Sequence, residues 1–268
     1  MKKPISLNEL FQQMWTDYCL LNPQADAVYK CLTGIGEDVV NDHIAFRTFN
    51  HPNIDIAKLA QHFLQRGYHL AGEYQFKEKK LNAQHFEHMD PNYPKVFISA
   101  LDLNQISPWA KQILETAASC VKPHATEKED FLFAGRPWEA DYKTYLKLAE
   151  ESEYAAWVYA HGFRPNHFTV YINFLKQLNS IQALNHFLKE NGFKLNSAGG
   201  EIKGSPEEYL EQSSTMANEI LVHFTDGAQR IPACYYEFAK RYSLADGKLF
   251  QGFIGKSADK IFESTHKH

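Results

Sequence analysis

The chain has 268 residues, 44% of them hydrophobic, and 28 Lys+Arg against 32 Asp+Glu leave a formal net charge of −4. That balance lacks the basic footprint of a protein that neutralises phosphates, so nucleic acid is not an expected partner. No window approaches the roughly 20 apolar residues of a membrane-spanning helix, and MKKPISLNEL has no apolar stretch behind its lysines, so a cytoplasmic chain with no membrane partner is expected.

In chain order, SLNELFQQMWTDYCLL opens with a capping-box pattern, Ser6 to Glu9, and ADAVYKCLTGIG runs to a glycine stop, which predicts a helical cap over 1–40. A first module, 41–103, begins with the strand-like NDHIAFRTFN. DIAKLAQHFLQRGYHL follows as a short amphipathic helix, with Ile56, Leu59 and Phe63 on one stripe and Gly67 closing it. KVFISALDL is a further strand. Residues 104–163 read as a helical insert, SPWAKQILETAASCV and WEADYKTYLKLAEESEYAAWVYAHG, divided by the loop-like PHATEKEDFLFAGRP.

The first module's order then returns over 164–245. PNHFTVYINF leads, and SIQALNHFLKENGFKL carries Ile181, Leu184 and Leu188 on one stripe with Gly192 at its end. The lead histidines, His43 and His167, are 124 positions apart and the closing glycines 125, which points to an internal duplication. Further along, His85 matches His223, because the spacing from His85 to Ser99 equals that from His223 to Glu237. Residues 246–268 form a C-terminal segment in which Ser257 is a plausible N-cap. The expected fold class is α+β. Paired βαβββ modules form a curled mixed sheet around a cleft in one domain, with added N-terminal and central helices.

The four cysteines, Cys19, Cys31, Cys120 and Cys234, have no CxxC spacing and read as reduced thiols. The 13 histidines are the chemical group to follow. Side chains at i, i+2 and i+4 share one face of a strand. His43, Ala45 and Arg47 therefore point together, as do His167, Thr169 and Tyr171, and Tyr235 and Glu237. If the duplicated strands surround one cleft, His43, His167 and Glu237 converge from three of them. Two histidines and one carboxylate with open coordination positions suit non-haem Fe(II). The fourth pseudo-symmetric position falls on Ser99, a poor ligand, which leaves that side free for substrate or water. Arg47 either reaches a ligand or pairs with an acidic neighbour such as Asp42. A competing cluster, His85, Glu87 and His88, has ligand types but no i, i+4 pair. GKSAD offers backbone N–H groups to a carboxylate, so Ser257 is a candidate for substrate binding. His62, His69, His161 and His186 lack partners at ligand spacing and read as structural.

At HIAFRTF, NHFTVYIN, YYEFAKRY and ADKIFEST the sequence resembles the 2-oxoadipate dioxygenase/decarboxylase family of the vicinal-oxygen-chelate superfamily, and the likeness runs over most of the chain. The resemblance implies Fe(II) held by His43, His167 and Glu237, with Arg47 binding substrate during catalysis. It implies a 2-oxo dicarboxylic acid and O₂ as partners, with 2-oxoadipate converted to 2-hydroxyglutarate and CO₂ in lysine catabolism. Characterised members include longer chains, and this one is a short form. The residues alone leave open a glyoxalase-like isomerase or an extradiol-type dioxygenase on the same scaffold. A metal-free protein that sequesters a small ligand there is a further reading. The sequence does not set the oligomeric state.

Overall fold

The capping box opens helix α1 (Leu7–Leu21): Ser6 Oγ accepts from the Glu9 backbone N–H, and the Glu9 carboxylate accepts from the Ser6 N–H. The computed structural model describes residues 5–255, 260, 261 and 263–265. Helix α2 (Pro23–Gly34) follows. Beyond it the buried Glu37 carboxylate accepts from the backbone N–H groups of Lys176, Gln177 and Leu178 at 2.5, 2.9 and 2.8 Å, tying the N-terminal helices to the middle of the chain. Burial works against its charge, but the three amides hold its pKa below the ordinary carboxylate value. Glu37→Ala leaves those amides without an acceptor and is expected to cost about 1–3 kcal/mol, read as a lower melting temperature. A depressed folded-state pKa contributes stability above the unfolded value, near about 4.3, and loses it as pH falls through the folded one. The gap between wild type and Glu37→Ala is therefore full at neutral pH and narrows in acid.

The two predicted modules are visible as one duplicated plan. The first runs β1 (Asn41–Phe49), α3 (Ile56–Leu64), β2 (Tyr68–Phe76), β3 (Leu81–His88) and β4 (Lys95–Leu101). After α4 (Pro108–Ser119), α5 (Tyr142–Glu151) and α6 (Glu153–His161), the second runs β5 (Pro165–Tyr171), α7 (Ile181–Glu190), β6 (Lys203–Ser205), β7 (Leu210–Ser214) and finally β10 (Glu237–Arg241). Asp55 and Ser180 cap α3 and α7 through the same N3 amide bond. Gly67 and Gly192 follow those helices with φ of +91° and +83°, a left-handed turn that a Cβ would strain.

The eight strands form one sheet in the order β2-β3-β4-β1-β5-β10-β7-β6. β1 and β5 meet antiparallel at its centre, β1 pairs parallel with β4, and β5 pairs parallel with β10. The halves are thus related by a pseudo-two-fold between the lead strands. Inserted between β7 and β10, the hairpin of β8 (Glu219–Phe224) and β9 (Gly227–Pro232) makes a separate two-stranded sheet.

That hairpin overturns two expected equivalences. His223 lies on β8, outside the duplicated plan, so it does not match His85. Ala45 faces Phe97 across β1 and β4, while its counterpart Thr169 faces Glu237 across β5 and β10. The residue equivalent to Glu237 is therefore Phe97. Ser99 stands two places further on, opposite Arg47. Equal spacing along the chain misled because strand register, not chain distance, decides which residues face each other.

Successive strand residues point to opposite faces. Phe168, next to His167, carries Trp15 of α1 edge-on with ring centroids 5.1 Å apart. Helix α6 is buried along its length from Tyr154 to His161 and packs beside β1. Tyr154 of α6 accepts from the Thr48 N–H at 3.0 Å and donates to the Ser99 carbonyl at 2.7 Å, pinning the helix to both β1 and β4. Among the described residues no helix is long and apolar enough to cross a membrane.

Candidate metal centre

His43 on β1, His167 on β5 and Glu237 at the start of β10 come together, all buried, with one donor atom of each within 4.8 Å of the others. The two Nε2 atoms are 3.3 Å apart, and Glu237 places its oxygens 3.1 Å from His167 Nε2 and 3.6 Å from His43 Nε2. Each imidazole is held from behind by the residue just before it. His43 Nδ1 donates to Asp42 Oδ1 at 2.8 Å, and His167 Nδ1 donates to Asn166 Oδ1 at 3.1 Å. Gln212 on β7 donates to Glu237 Oε1 at 2.5 Å and fixes that carboxylate.

These partners determine what the site lacks. Asp42, an acceptor only, forces the proton of neutral His43 onto Nδ1, and the Asn166 oxygen does the same for His167. Both Nε2 atoms therefore turn a lone pair towards the other and towards the Glu237 carboxyl group, and the Thr169 hydroxyl lies 3.1 Å from His43 Nε2. Burial lowers the pKa of His43 in spite of the Asp42 hydrogen bond. Burial, together with the charges of His43 and Arg47, holds His167 well below the ordinary value. Burial also lifts Glu237 to about 8, against the Gln212 hydrogen bond. Its oxygens face these two neutral imidazoles. Without a metal, the protonated Glu237 carboxyl and the Thr169 hydroxyl are the donors that reach these lone pairs; a cation there would displace the Glu237 proton and take one lone pair from each of the three side chains. Ligand atoms roughly 2.1 Å from an ion and at right angles to one another lie about 3 Å apart, close to the observed separations. The residues present fit a divalent metal bound on one face.

The remaining walls are apolar. Phe97, Phe253 and Ile261 line a small space of about 20 Å³ with the three donors and Gln212. Phe253 sits edge-on against the His43 ring, centroids 4.8 Å apart. On the same face of β1 the fully buried Arg47 guanidinium lies over the rings of Tyr154 and Trp157 at 5.0 and 5.1 Å. Its Nη atoms approach Glu153 Oε1 and Thr265 Oγ1, each at 3.4 Å, and Thr265 also bonds Glu153.

The sequence profile of the 2-oxoadipate dioxygenase/decarboxylase family matches residues 8–251. The chain belongs to this family. The chloroplastic 2-oxoadipate dioxygenase/decarboxylase of Arabidopsis thaliana is 37% identical over 94% of this chain and 76% of the plant protein. Hydroxyglutarate synthase of Oryza sativa, crystallised in complex with 2-oxoadipate, has a TM-score of 0.89 and 32% identity, covering 99% of this chain and 97% of that one. A crystal structure from Shewanella frigidimarina NCIMB 400, provisionally described as a hydrolase, has a TM-score of 0.91 and 48% identity over 95% and 100% of the two chains.

In this member of the dioxygenase/decarboxylase family, the other residues singled out in the sequence fall elsewhere. His85 bonds Tyr74 and Glu87 through its two ring nitrogens, and His88 bonds the Arg66 carbonyl, so HFEH does not converge on one point. His62 and His161 each hold a backbone carbonyl, of Thr126 and Pro232. Ser257 lies outside the described residues. Asp42 pairs with Arg241 and His43 rather than with Arg47, whose acidic partner is Glu153 from the helical insert. The sequence reading missed Asp42 and Asn166 as partners of the two imidazoles. A signal was present, since each copy places a short acceptor side chain directly before its lead histidine.

Proposed function

We propose that this chain is an Fe(II)-dependent dioxygenase that converts 2-oxoadipate and O₂ to 2-hydroxyglutarate and CO₂. The observation that carries the reading is the buried His43, His167 and Glu237 set, whose donor atoms converge at one small space. His43, His167 and Glu237 would hold Fe(II), which would supply binding of a 2-oxo acid and activation of O₂. The chain's own residues do the rest. Asp42, Asn166 and Gln212 hold the three donors in position. Arg47, a cation on the same strand face as His43, is the group that binds a substrate carboxylate. Phe97, Phe253 and Ile261 keep water from the reacting carbons. The space of about 20 Å³ has room for one water, for which roughly 10–15 Å³ suffices.

The hydrolase description of the Shewanella structure supplies a second reading, because two histidines and a glutamate also suit a zinc ion that activates water. An oxygen-electrode assay separates the two. With Fe(II) and a panel of 2-oxo dicarboxylates, aromatic 2-oxo acids and monocarboxylic 2-oxo acids, the expected result is uptake of one O₂ per 2-oxoadipate consumed, with CO₂ and 2-hydroxyglutarate as products. Turnover without O₂ contradicts the proposal and favours a hydrolase or an isomerase.

A further inference from the structure

Behind His43 lies a buried arginine to which the sequence pattern gave no role. Arg241 on β10 is 1% exposed and uses all of its guanidinium nitrogens. Nε and Nη2 donate to the two oxygens of Asp42 at 2.6 and 2.8 Å, a bidentate pair, and Asp42 in turn accepts from His43 Nδ1 at 2.8 Å. Nη1 donates to the carbonyls of Phe250 and Gly252 at 3.0 and 2.9 Å. One residue beyond Gly252, the Phe253 ring lies 5.3 Å from the guanidinium carbon and covers the His43 ring. The Arg241 backbone is itself clamped, since Asn173 accepts from its N–H and donates to its carbonyl, both at 2.9 Å. A single rigid fork therefore joins a metal-facing imidazole to the segment that walls the substrate space.

We infer that Arg241 is a positioning residue for this site: through Asp42 it fixes the tautomer and aim of His43, and through the Phe250 and Gly252 carbonyls it seats Phe253 on the same ring. This rests on the reading of His43 as a metal ligand. Neutral imidazole offers a lone pair at Nε2 only while Nδ1 keeps its proton. Asp42 can hold that proton at one angle only while both of its oxygens are tied down. Lysine retains the charge but offers a point donor in place of the planar fork, so it cannot hold Asp42 and both carbonyls together.

The test titrates metal-free wild type, Arg241→Lys, Asp42→Asn and His167→Ala with Co(II) alone, following the visible d–d bands. Long-range ¹H–¹⁵N spectra of the metal-free proteins report the His43 tautomer. Arg241→Lys is expected to weaken Co(II) binding about 10–100-fold, the usual cost of losing an outer partner of a metal-ligating histidine, and to mix the two tautomers. Its KM for 2-oxoadipate rises as well, because Phe253 is no longer held. Asp42→Asn keeps the size but, unlike Asn166, faces a guanidinium fork: its single oxygen cannot serve both Arg241 and His43 and its NH2 group meets a donor, so the Arg241 pair opens and Co(II) binding is expected to weaken likewise, which keeps the test decisive should Arg241→Lys fail to fold. Wild-type affinity and an unmixed tautomer in whichever of these variants folds overturn the inference while leaving the metal reading intact. Co(II) binding that is absent from wild type, or unchanged in His167→Ala, overturns the metal reading and the inference together.

Discussion

His167→Ala is expected to lose stoichiometric metal binding and more than about 100-fold in turnover, beyond what loss of an outer partner costs, while the metal-free protein stays folded. The side chain is buried, yet its polar contacts are the Asn166 oxygen and the facing acceptors of the site, and its main packing partner is the Tyr235 ring, stacked at 4.7 Å. Truncating it removes one of the two Nε2 lone pairs that face each other 3.3 Å apart and breaks no backbone hydrogen bond of the sheet. Bound metal stabilises the fold by mass action, about 2.7 kcal/mol at a hundred times Kd, so Fe(II) under anaerobic conditions should raise the melting temperature of wild type and leave that of His167→Ala unmoved. Glu237→Gln makes the same point at constant volume, because it removes the one anion of the donor set. Turnover within tenfold of wild type in either variant contradicts the assignment.

Arg47→Lys has the opposite signature. Metal affinity is expected to stay at the wild-type level, because Arg47 lies over Tyr154 and Trp157 and bonds Glu153 and Thr265 rather than any of the three donors. A charge-assisted bond to a substrate carboxylate is worth about 1.5–3 kcal/mol, so kcat/KM for 2-oxoadipate should fall roughly 10- to 100-fold. The loss falls on the diacid, and a monocarboxylic 2-oxo acid of similar length separates binding from damage. Wild type is expected to prefer the diacid, and in Arg47→Lys that preference should shrink. Steady-state kinetics with both substrates gives the ratio, and an unchanged ratio rules out a carboxylate-binding role.

The duplication was legible in the sequence because each copy repeats a histidine-led strand and a striped helix ending in glycine, features fixed by local periodicity and turn chemistry. His43 and His167 followed from the same pattern. Glu237 was reached with a wrong partner, since Ser99 was matched to it by counting residues. The hairpin Glu219–Pro232, inserted before β10, makes such counting meaningless, and register places Phe97 opposite instead. Strand alternation puts Arg47 on the His43 face, but its environment comes from residues more than 100 positions away, Glu153, Trp157 and Thr265, which no local pattern connects to it. Arg241 was invisible for the same reason: its bidentate partner Asp42 is 199 positions distant. Long-range ion pairs carry no periodicity, and only the fold brings them together.

Anomalous scattering from anaerobically grown, Fe(II)-loaded crystals tests the central claim most directly, with data collected on both sides of the iron edge. One peak per chain is expected, within bonding distance of the Nε2 atoms of His43 and His167 and of the Glu237 carboxylate. A peak seated elsewhere, or none in crystals of protein that consumes O₂ with 2-oxoadipate, would contradict the account.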